Sequence, residues 1–349
     1  MKYFFRLSYS VIMSDIFNKL LILRTPGIGP ARYNDLLRRF GTPAAVVDSL
    51  GISVELRDSV LREMEAAQRL GVRYISDTDA RYPVNLKAVK NHAPIISVCG
   101  NLDVLNKQMV SIVGTRHASA TGLGFVANIA QKFAEHDYVV VSGMAIGTDT
   151  AAHRGALRAQ GNAATIAVLA GGVDYIWPLE NESLYNEIIE RGALISEMPV
   201  GFVPVATNFV QRNKIIAGLG EKLILGEADL KSGSMTTARF AIEMQRDIWA
   251  IPSHPADSRA FGPNSLIRDG VAHMCMGADD FFGIEEKDIK KSKNIDAENN
   301  LIDALGMIPV SESVLADVVK KSVSEIKAEL VVLELQGFVR KVDGGYVRA

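Results

Sequence analysis

Ser111-Ile112-Val113-Gly114-Thr115-Arg116, Val139-Val140-Val141-Ser142-Gly143-Met144-Ala145-Ile146-Gly147 and Ala167-Val168-Leu169-Ala170-Gly171-Gly172-Val173-Asp174 share one pattern. Each is a short apolar run that stops abruptly in glycine and small polar residues. Short runs rich in Val, Ile and Leu read as parallel strands buried on both faces, and the segments between them are long enough for crossover helices. The expected fold is α/β with a parallel sheet. In such sheets the loops at the carboxyl ends of the strands line a common crevice. Glycines there let backbone N–H groups approach an anion, and the helix N-termini that follow add partial positive charge. The chain is therefore predicted to carry a composite phosphate-type site.

With 349 residues, two or three domains are expected. A composition 48% hydrophobic and 22% charged is that of an ordinary globular protein, and a net charge of -2 excludes a general polyanion-binding coat. Any nucleic-acid site must be local. The two cysteines, Cys99 and Cys275, form no CxxC pair, so neither a disulfide framework nor a zinc site is expected, and a reducing cytoplasm fits. The stretch from Met1 to Met13 faintly resembles a signal peptide. Arg6 interrupts its apolar run, however, and no small-residue cleavage site precedes Asp15 and Lys19, so it reads as an over-extended start with Met13 as the candidate first residue. No run reaches the roughly 20 apolar residues of a membrane span, and a cytoplasmic protein without membrane contact is expected.

Residues 14–77 read as helical throughout, with Pro26-Gly27-Ile28-Gly29-Pro30 as a tight hairpin between two helices. Such a turn either meets a DNA phosphate with its amides or simply joins helices in a small bundle. Residues 78–110 read as a connector with a strand at Ile95-Ile96-Ser97-Val98, residues 111–284 as the sheet domain and residues 285–300 as a polar linker. Residues 301–349 read as three helices and a hairpin, hence a winged helix. The first helix would carry Leu301 and Leu305, the second begins near Ser311, and the third opens with the capping box Ser322…Glu325. Ile326, Leu330 and Leu333 give the third helix its buried stripe. It exposes Glu325 and Glu329 beside Lys327, which phosphates would repel, so protein contact or a structural role is expected rather than DNA reading.

Several motifs are decoys. Gly122-Leu123-Gly124-Phe125-Val126-Ala127 matches G-x-G-x-x-A but lies about eight residues past its strand, and the second strand ends in Ser142 rather than an acidic residue, which argues against a nicotinamide cofactor. There is no G-x-x-x-x-G-K-[ST] and no tight His/carboxylate cluster, so neither an ordinary ATP cradle nor a metal site is expected. No cofactor is assigned. Asp149 and His153, i and i+4, are either an acid/base pair or a structural hydrogen bond fixing a helix start. Asp174 reads as a residue that caps or orients its loop.

Two segments weigh most. Phe209-Val210-Gln211-Arg212-Asn213-Lys214 supplies an aromatic, two cations and an amide ahead of an apolar helix. Ser232-Gly233-Ser234 is a hydroxyl-rich turn opening another helix. An aromatic platform, phosphate charges and sequence-indifferent amides are what a single nucleic-acid strand needs.

On these motifs the chain resembles the DNA-processing protein A (DprA/Smf) family. I-V-G-[ST]-R stands at Ile112–Arg116, V-V-S-G-x-A-x-G-x-D-x-x-A-H at Val140–His153, and T-I-A-V-L-x-G-G-x-D at Thr165–Asp174. Pro178 and Asn181, Ser196-Glu197-Met198-Pro199, R-N-[RK]-I-I-A-G-L from Arg212, and S-G-S-x-x-T-A at Ser232–Ala238 follow in order, so the likeness spans roughly residues 90–275. Trp177 replaces the usual Tyr, Val210 a proline, Lys214 the commoner arginine, and Pro252-Ser253 a Pro-Gly.

The resemblance implies an extended Rossmann-like sheet domain, flanked by an N-terminal helical (SAM/helix-hairpin-helix-like) domain and a C-terminal winged helix. It implies sequence-independent binding of single-stranded DNA, protection of incoming DNA in natural transformation, loading of RecA, homodimers through the sheet domain, and no enzymatic activity. Gly114, Thr115 and Arg116 would hold phosphates, with Ser142, Gly143, Gly171 and Gly172 in the neighbouring loops. Arg212, Asn213 and Lys214 would form the opposite basic wall, Ser232, Gly233 and Ser234 would add amides and hydroxyls, and Phe209 would stack on a base. Arg116 and Lys214 are expected on one shared rim. Leu266 and Ile267 are candidate dimer contacts, with a core role standing equally beside that reading. The rival is a nucleotide-processing enzyme of the phosphoribohydrolase type. Gly171-Gly172-Val173-Asp174 lacks the threonine and glutamate of that type's P-G-G-x-G-T-x-x-E motif.

Overall fold

The computed structural model describes residues 14–160, 164–283, 301–302, 304–306 and 309–348. The candidate start at Met1–Met13 and the linker at 285–300 lie outside them. The chain divides into two compact units, with the division after Gly283.

The first unit is organised by a nine-stranded sheet. Its strands are β1 (Arg73–Ser76), β2 (Ile95–Gly100), β3 (Met109–Val113), β4 (Val139–Ser142), β5 (Thr165–Val168), β6 (Ala193–Ser196), β7 (Lys222–Leu225), β8 (Asp247–Ala250) and β9 (His273–Met274). They are ordered β1-β2-β6-β5-β4-β3-β7-β8-β9. From β6 to β9 every pair is parallel, as the buried apolar runs predicted. Two departures occur at one edge. β2 runs antiparallel to β6 and β1 antiparallel to β2, so the sheet is mixed. Residues 14–77 are correspondingly not helical throughout: Arg73-Tyr74-Ile75-Ser76 is a strand, because Ile75 and Ser76 bury against the sheet.

Chain order runs outward from β3 in two directions, through β4, β5 and β6 on one side and β7, β8 and β9 on the other. The β3/β7 boundary is therefore a topological switch point, where adjacent loops diverge and leave a crevice. One face of the sheet is covered by α6 (Ala120–Glu135) and α7 (Thr148–Arg158), through Val126, Ile129, Phe133, Ala152 and Ala156. The other is covered by α9 (Ala206–Leu219) and α10 (Gly233–Glu243), through Ile215, Ile216, Leu219, Ala238 and Ala241. Gly122 and Gly124 lie inside α6, which disposes of the dinucleotide pattern as a turn.

The N-terminal helices, 14–24, α2 (Pro30–Phe40), α3 (Pro43–Leu50) and α4 (Val54–Arg69), close around Leu20, Leu21, Tyr33, Val46 and Val60. The buried Lys19 ammonium donates to Ser76 Oγ at 2.5 Å and Asp77 Oδ1 at 2.8 Å, tying this bundle to the end of β1.

In the second unit, the helices Glu312–Val319 and Val323–Leu335 pack with the hairpin Val339–Val342/Gly345–Arg348 around Leu315, Ile326, Leu330 and Tyr346. Leu301 and Leu305 are buried there, but the described residues around them are turns, not the predicted helix. Among the described residues no helix is long and apolar enough to cross a membrane.

Candidate nucleic-acid interface

The loop after β3 carries the first group. Gly114 is pressed onto Thr148, whose side chain occupies the space a Cβ would need. The Thr115 amide donates to Glu227 O at 2.7 Å, and Thr148 Oγ1 donates to Thr115 O at 3.1 Å. Thr115 Oγ1 accepts from the His117 amide at 3.2 Å, so the turn is closed by its own hydroxyl. Below it the buried Glu227 carboxylate accepts from the Ser119 amide at 2.7 Å and Ser119 Oγ at 2.5 Å, fixing the start of α6. Arg116 projects outward and has no carboxylate partner among the described residues. Its guanidinium lies 5.1 Å from the centroid of the Trp177 ring. Trp177 in turn meets Phe209 edge-on, with ring centroids 4.8 Å apart.

Across the switch point, Ser232 caps α10 by accepting from the Met235 amide at 3.3 Å. Asn213 Nδ2 donates to Gly233 O at 3.2 Å. Gly233 is exposed and Ser234 buried at the mouth. Gly114, Thr115, Arg116, Phe209, Arg212, Asn213, Ser232, Gly233 and Ser234 line one crevice of about 310 Å³. Gly143 and Gly171 line a small recess beside it with Trp177 and Phe209.

Three predicted site residues are placed otherwise. Ser142 is fully buried, its hydroxyl donating to Ile112 O at 2.7 Å, because the residue ending a central strand sits beneath the loops. Gly172 is buried in a loop closed by Asp174, whose carboxylate accepts from the Gly201 amide at 2.9 Å. Lys214 lies on the opposite side of α9 from Arg212, as two residues of helix turn the side chain by about 200°. Its ammonium donates to Lys90 O at 3.0 Å and Asn91 O at 3.3 Å in a separate groove of about 830 Å³. The Pro26–Pro30 turn lines that second groove. Arg116 and Lys214 therefore do not share a rim, and the expectation of one continuous basic wall is corrected.

Arg212 is corrected in a different sense. It reaches the crevice but is 7% exposed, its guanidinium donating to Gly143 O, to Val168 O at 2.7 Å and to Asn213 Oδ1 at 3.1 Å. It stitches the carboxyl ends of β4 and β5 together, and occupies the space where a Gly143 side chain would stand. Burial holds its pKa down to about 10; the nearby Asp149 opposes that effect and Arg116 adds to it. Asp149 accepts from the Gly143 amide at 3.1 Å and the Ala145 amide at 3.2 Å, and burial raises its pKa against the pull of Arg212.

Asp149 and His153 have separate partners, both internal. Thr165 gives its single hydroxyl proton to Val140 O at 2.6 Å, so the 2.7 Å contact with His153 is Nδ1–H donating to Thr165 Oγ1. Nε2 is left a buried lone pair without a partner. The two do not bond each other: Asp149 holds the loop that leads into α7 and His153 is tied to β5, so each has a structural role without the hydrogen bond expected between them. Leu266 and Ile267, on α11 (Phe261–Arg268), are half-buried and pack against the sheet core.

Sequence reasoning passed over two residues. Trp177 was noted only as a replacement for tyrosine, yet it stands between Arg116 and Phe209. Arg259, whose Nη1 donates to His117 O at 3.3 Å, stands beside the first loop with its charge paired to Asp257 at 2.6 Å. Neither has a local signal, since both arrive by tertiary approach.

The geometry defines a class: a doubly covered α/β sheet protein with a small-residue crevice at its switch point and a half-exposed cation–aromatic rim. Its sequence matches the family description DNA recombination-mediator protein A over residues 73–284, the DprA-like N-terminal HHH domain over 14–66, and the DprA winged helix domain over 291–345. The chain belongs to the DprA family. It is 30% identical to protein Smf of Synechocystis sp., over 81% of this chain and 71% of that protein. It is 33% identical to the DNA processing protein DprA of Bacillus subtilis, over 66% of this chain and 77% of that one. The X-ray structure of Streptococcus pneumoniae DprA superposes with a TM-score of 0.67 at 28% identity, covering 77% of this chain and 98% of that one. The Helicobacter pylori DNA processing protein A, whose structure is described for its single-stranded DNA binding mode, superposes with a TM-score of 0.55 at 27% identity, covering 63% and 97%.

Proposed function

We propose that this chain binds single-stranded DNA without sequence preference across the switch-point crevice. It protects incoming DNA and loads RecA on it in the cytoplasm during natural transformation, as a homodimer through the sheet domain and without chemistry of its own. The observation that carries the reading is the rim formed by Arg116, Trp177 and Phe209 above the Gly114–Thr115 and Ser232–Gly233 turns. A free guanidinium meets phosphate bidentately, the rings offer stacking surfaces indifferent to base identity, and the helix N-terminus at the Ser232–Gly233 turn favours an anion. The likeness to a relative described for single-stranded DNA binding supports the same substrate. For the homodimer, support comes from Phe261, Val271, Met274 and Met276, exposed apolar residues flanking α11 and the β9 edge.

The test is a gel shift of single-stranded against duplex oligonucleotides at two ionic strengths. Preference for the single strand, weakening steeply with salt, is expected. Equal binding of both, or none at low salt, overturns the reading. RecA nucleation on a protected oligonucleotide, with and without the chain, tests loading separately.

A further inference from the structure

The winged-helix unit carries an apolar face with no cover among the described residues. The helix Val323–Leu335 is apolar on two opposite sides. Ile326, Leu330 and Leu333 turn into the unit's own core. On the far side Ala328, Val331 and Leu335 recur at i, i+3 and i+7, the spacing that aligns one stripe for a partner helix. Val331 is 52% exposed and Leu335 84%, and Val332 and Phe338 widen the patch. A contiguous apolar stripe left exposed on a folded unit marks an interaction surface.

Charge selects the occupant. Glu325, Glu329 and Glu334 border the stripe, so a phosphate backbone is disfavoured. Lys327 and Glu334 lie on one flank, almost symmetrically about Val331. We propose that this face pairs with the same face of a second copy, helix against antiparallel helix, about a two-fold axis at Val331. The two-fold sets Lys327 of each copy opposite Glu334 of the other, giving two reciprocal ion pairs. Both keep capacity for this: Lys327 Nζ is 3.2 Å from Glu312 alone, and Glu334 accepts only the Lys341 amide at 3.2 Å. On the other flank Glu329 is already paired with Lys321, and Glu325 is held by its capping-box hydrogen bonds with Ser322 at the start of the helix. The contact is separate from the sheet-domain pairing and does not depend on DNA binding.

The test uses the full chain carrying Val331→Cys, mildly oxidised and run on a non-reducing gel. The unaltered chain, with Cys99 and Cys275, and the chain with Val323→Cys set the background. Val331→Cys is expected to give a disulfide-linked dimer well above both. Adding Lys327→Glu removes both reciprocal pairs and reduces the linkage about fivefold, the size of two exposed ion pairs of about 0.5 kcal/mol each, and adding Glu334→Lys as well restores it. Leu335→Glu, at an exposed position that cannot unfold the unit, abolishes it. Linkage from Val331→Cys no greater than from Val323→Cys, or a charge swap that fails to restore it, overturns the proposal.

Discussion

The Arg116 guanidinium sits 5.1 Å from the centre of the Trp177 ring, on the rim of the crevice rather than in its depth. A cation over an aromatic face is attracted by the ring quadrupole, and Arg116 stays exposed while it is held there. If this pair grips a strand, replacing Trp177 with Ala lowers affinity for oligo-dT by about five- to 150-fold, the range of one lost stack of ~1–3 kcal/mol. Trp177→Phe retains most of the affinity. Tryptophan fluorescence in a Trp249→Phe background reports the same event, with quenching expected on titration of the oligonucleotide.

Arg116 and Lys214 make a paired prediction. Arg116→Ala weakens binding of all sequences alike and reduces the log–log salt slope by about 0.7, one phosphate for a single strand. Lys214→Ala, across α9 and bonded to Lys90 O and Asn91 O, leaves both the affinity and the slope close to the parent. Equal losses from the two variants would put the strand across both grooves.

Arg212 is expected to matter through stability. Removing it leaves Gly143 O and Val168 O without donors and Asp149 buried without its counter-charge, a loss of roughly 3–5 kcal/mol. Urea denaturation of Arg212→Ala measures it. Arg212→Lys recovers little, because a single ammonium cannot serve both carbonyls and Asn213 in the guanidinium's plane.

His153 predicts an acid-side signature. Burial, with the Arg212 charge adding to it, holds its pKa down to about 3, against 6.5 when exposed. A lowered folded pKa contributes stability that is complete above about 6.5 and lost as the pH falls toward about 3. The slope from this proton is at most ~1.4 kcal/mol per pH unit. His153→Asn keeps a donor for Thr165 and flattens the dependence in that window, read from urea midpoints at successive pH values.

The strand runs Ser111–Val113 and Val139–Val141 were legible because burial on both faces demands continuous apolar residues and glycine follows close on each; the third, read at Ala167–Ala170, lies two residues earlier, at Thr165–Val168. The loops of the crevice were legible for the same reason. β1 was not, since four residues directly after a helix carry too little alternation to register. The disposition of Arg212 and Lys214 was not either. Sequence places both just ahead of an apolar helix, whereas they lie inside α9, and the packing of Ile215 and Ile216 on the sheet decides that Phe209, Arg212 and Asn213 look one way and Gln211 and Lys214 the other. Trp177 gained its neighbours from a loop and a helix more than 30 residues apart, which no local pattern encodes.

The inward guanidinium of Arg212 has a bearing on what the crevice can swallow. The deepest anchorage that a lone mononucleotide would seek is already satisfied by the protein's own backbone carbonyls and a resident carboxylate. What stays unspent lies at the lip, so the architecture rewards a ligand long enough to drape over an edge and discounts one small enough to fall in.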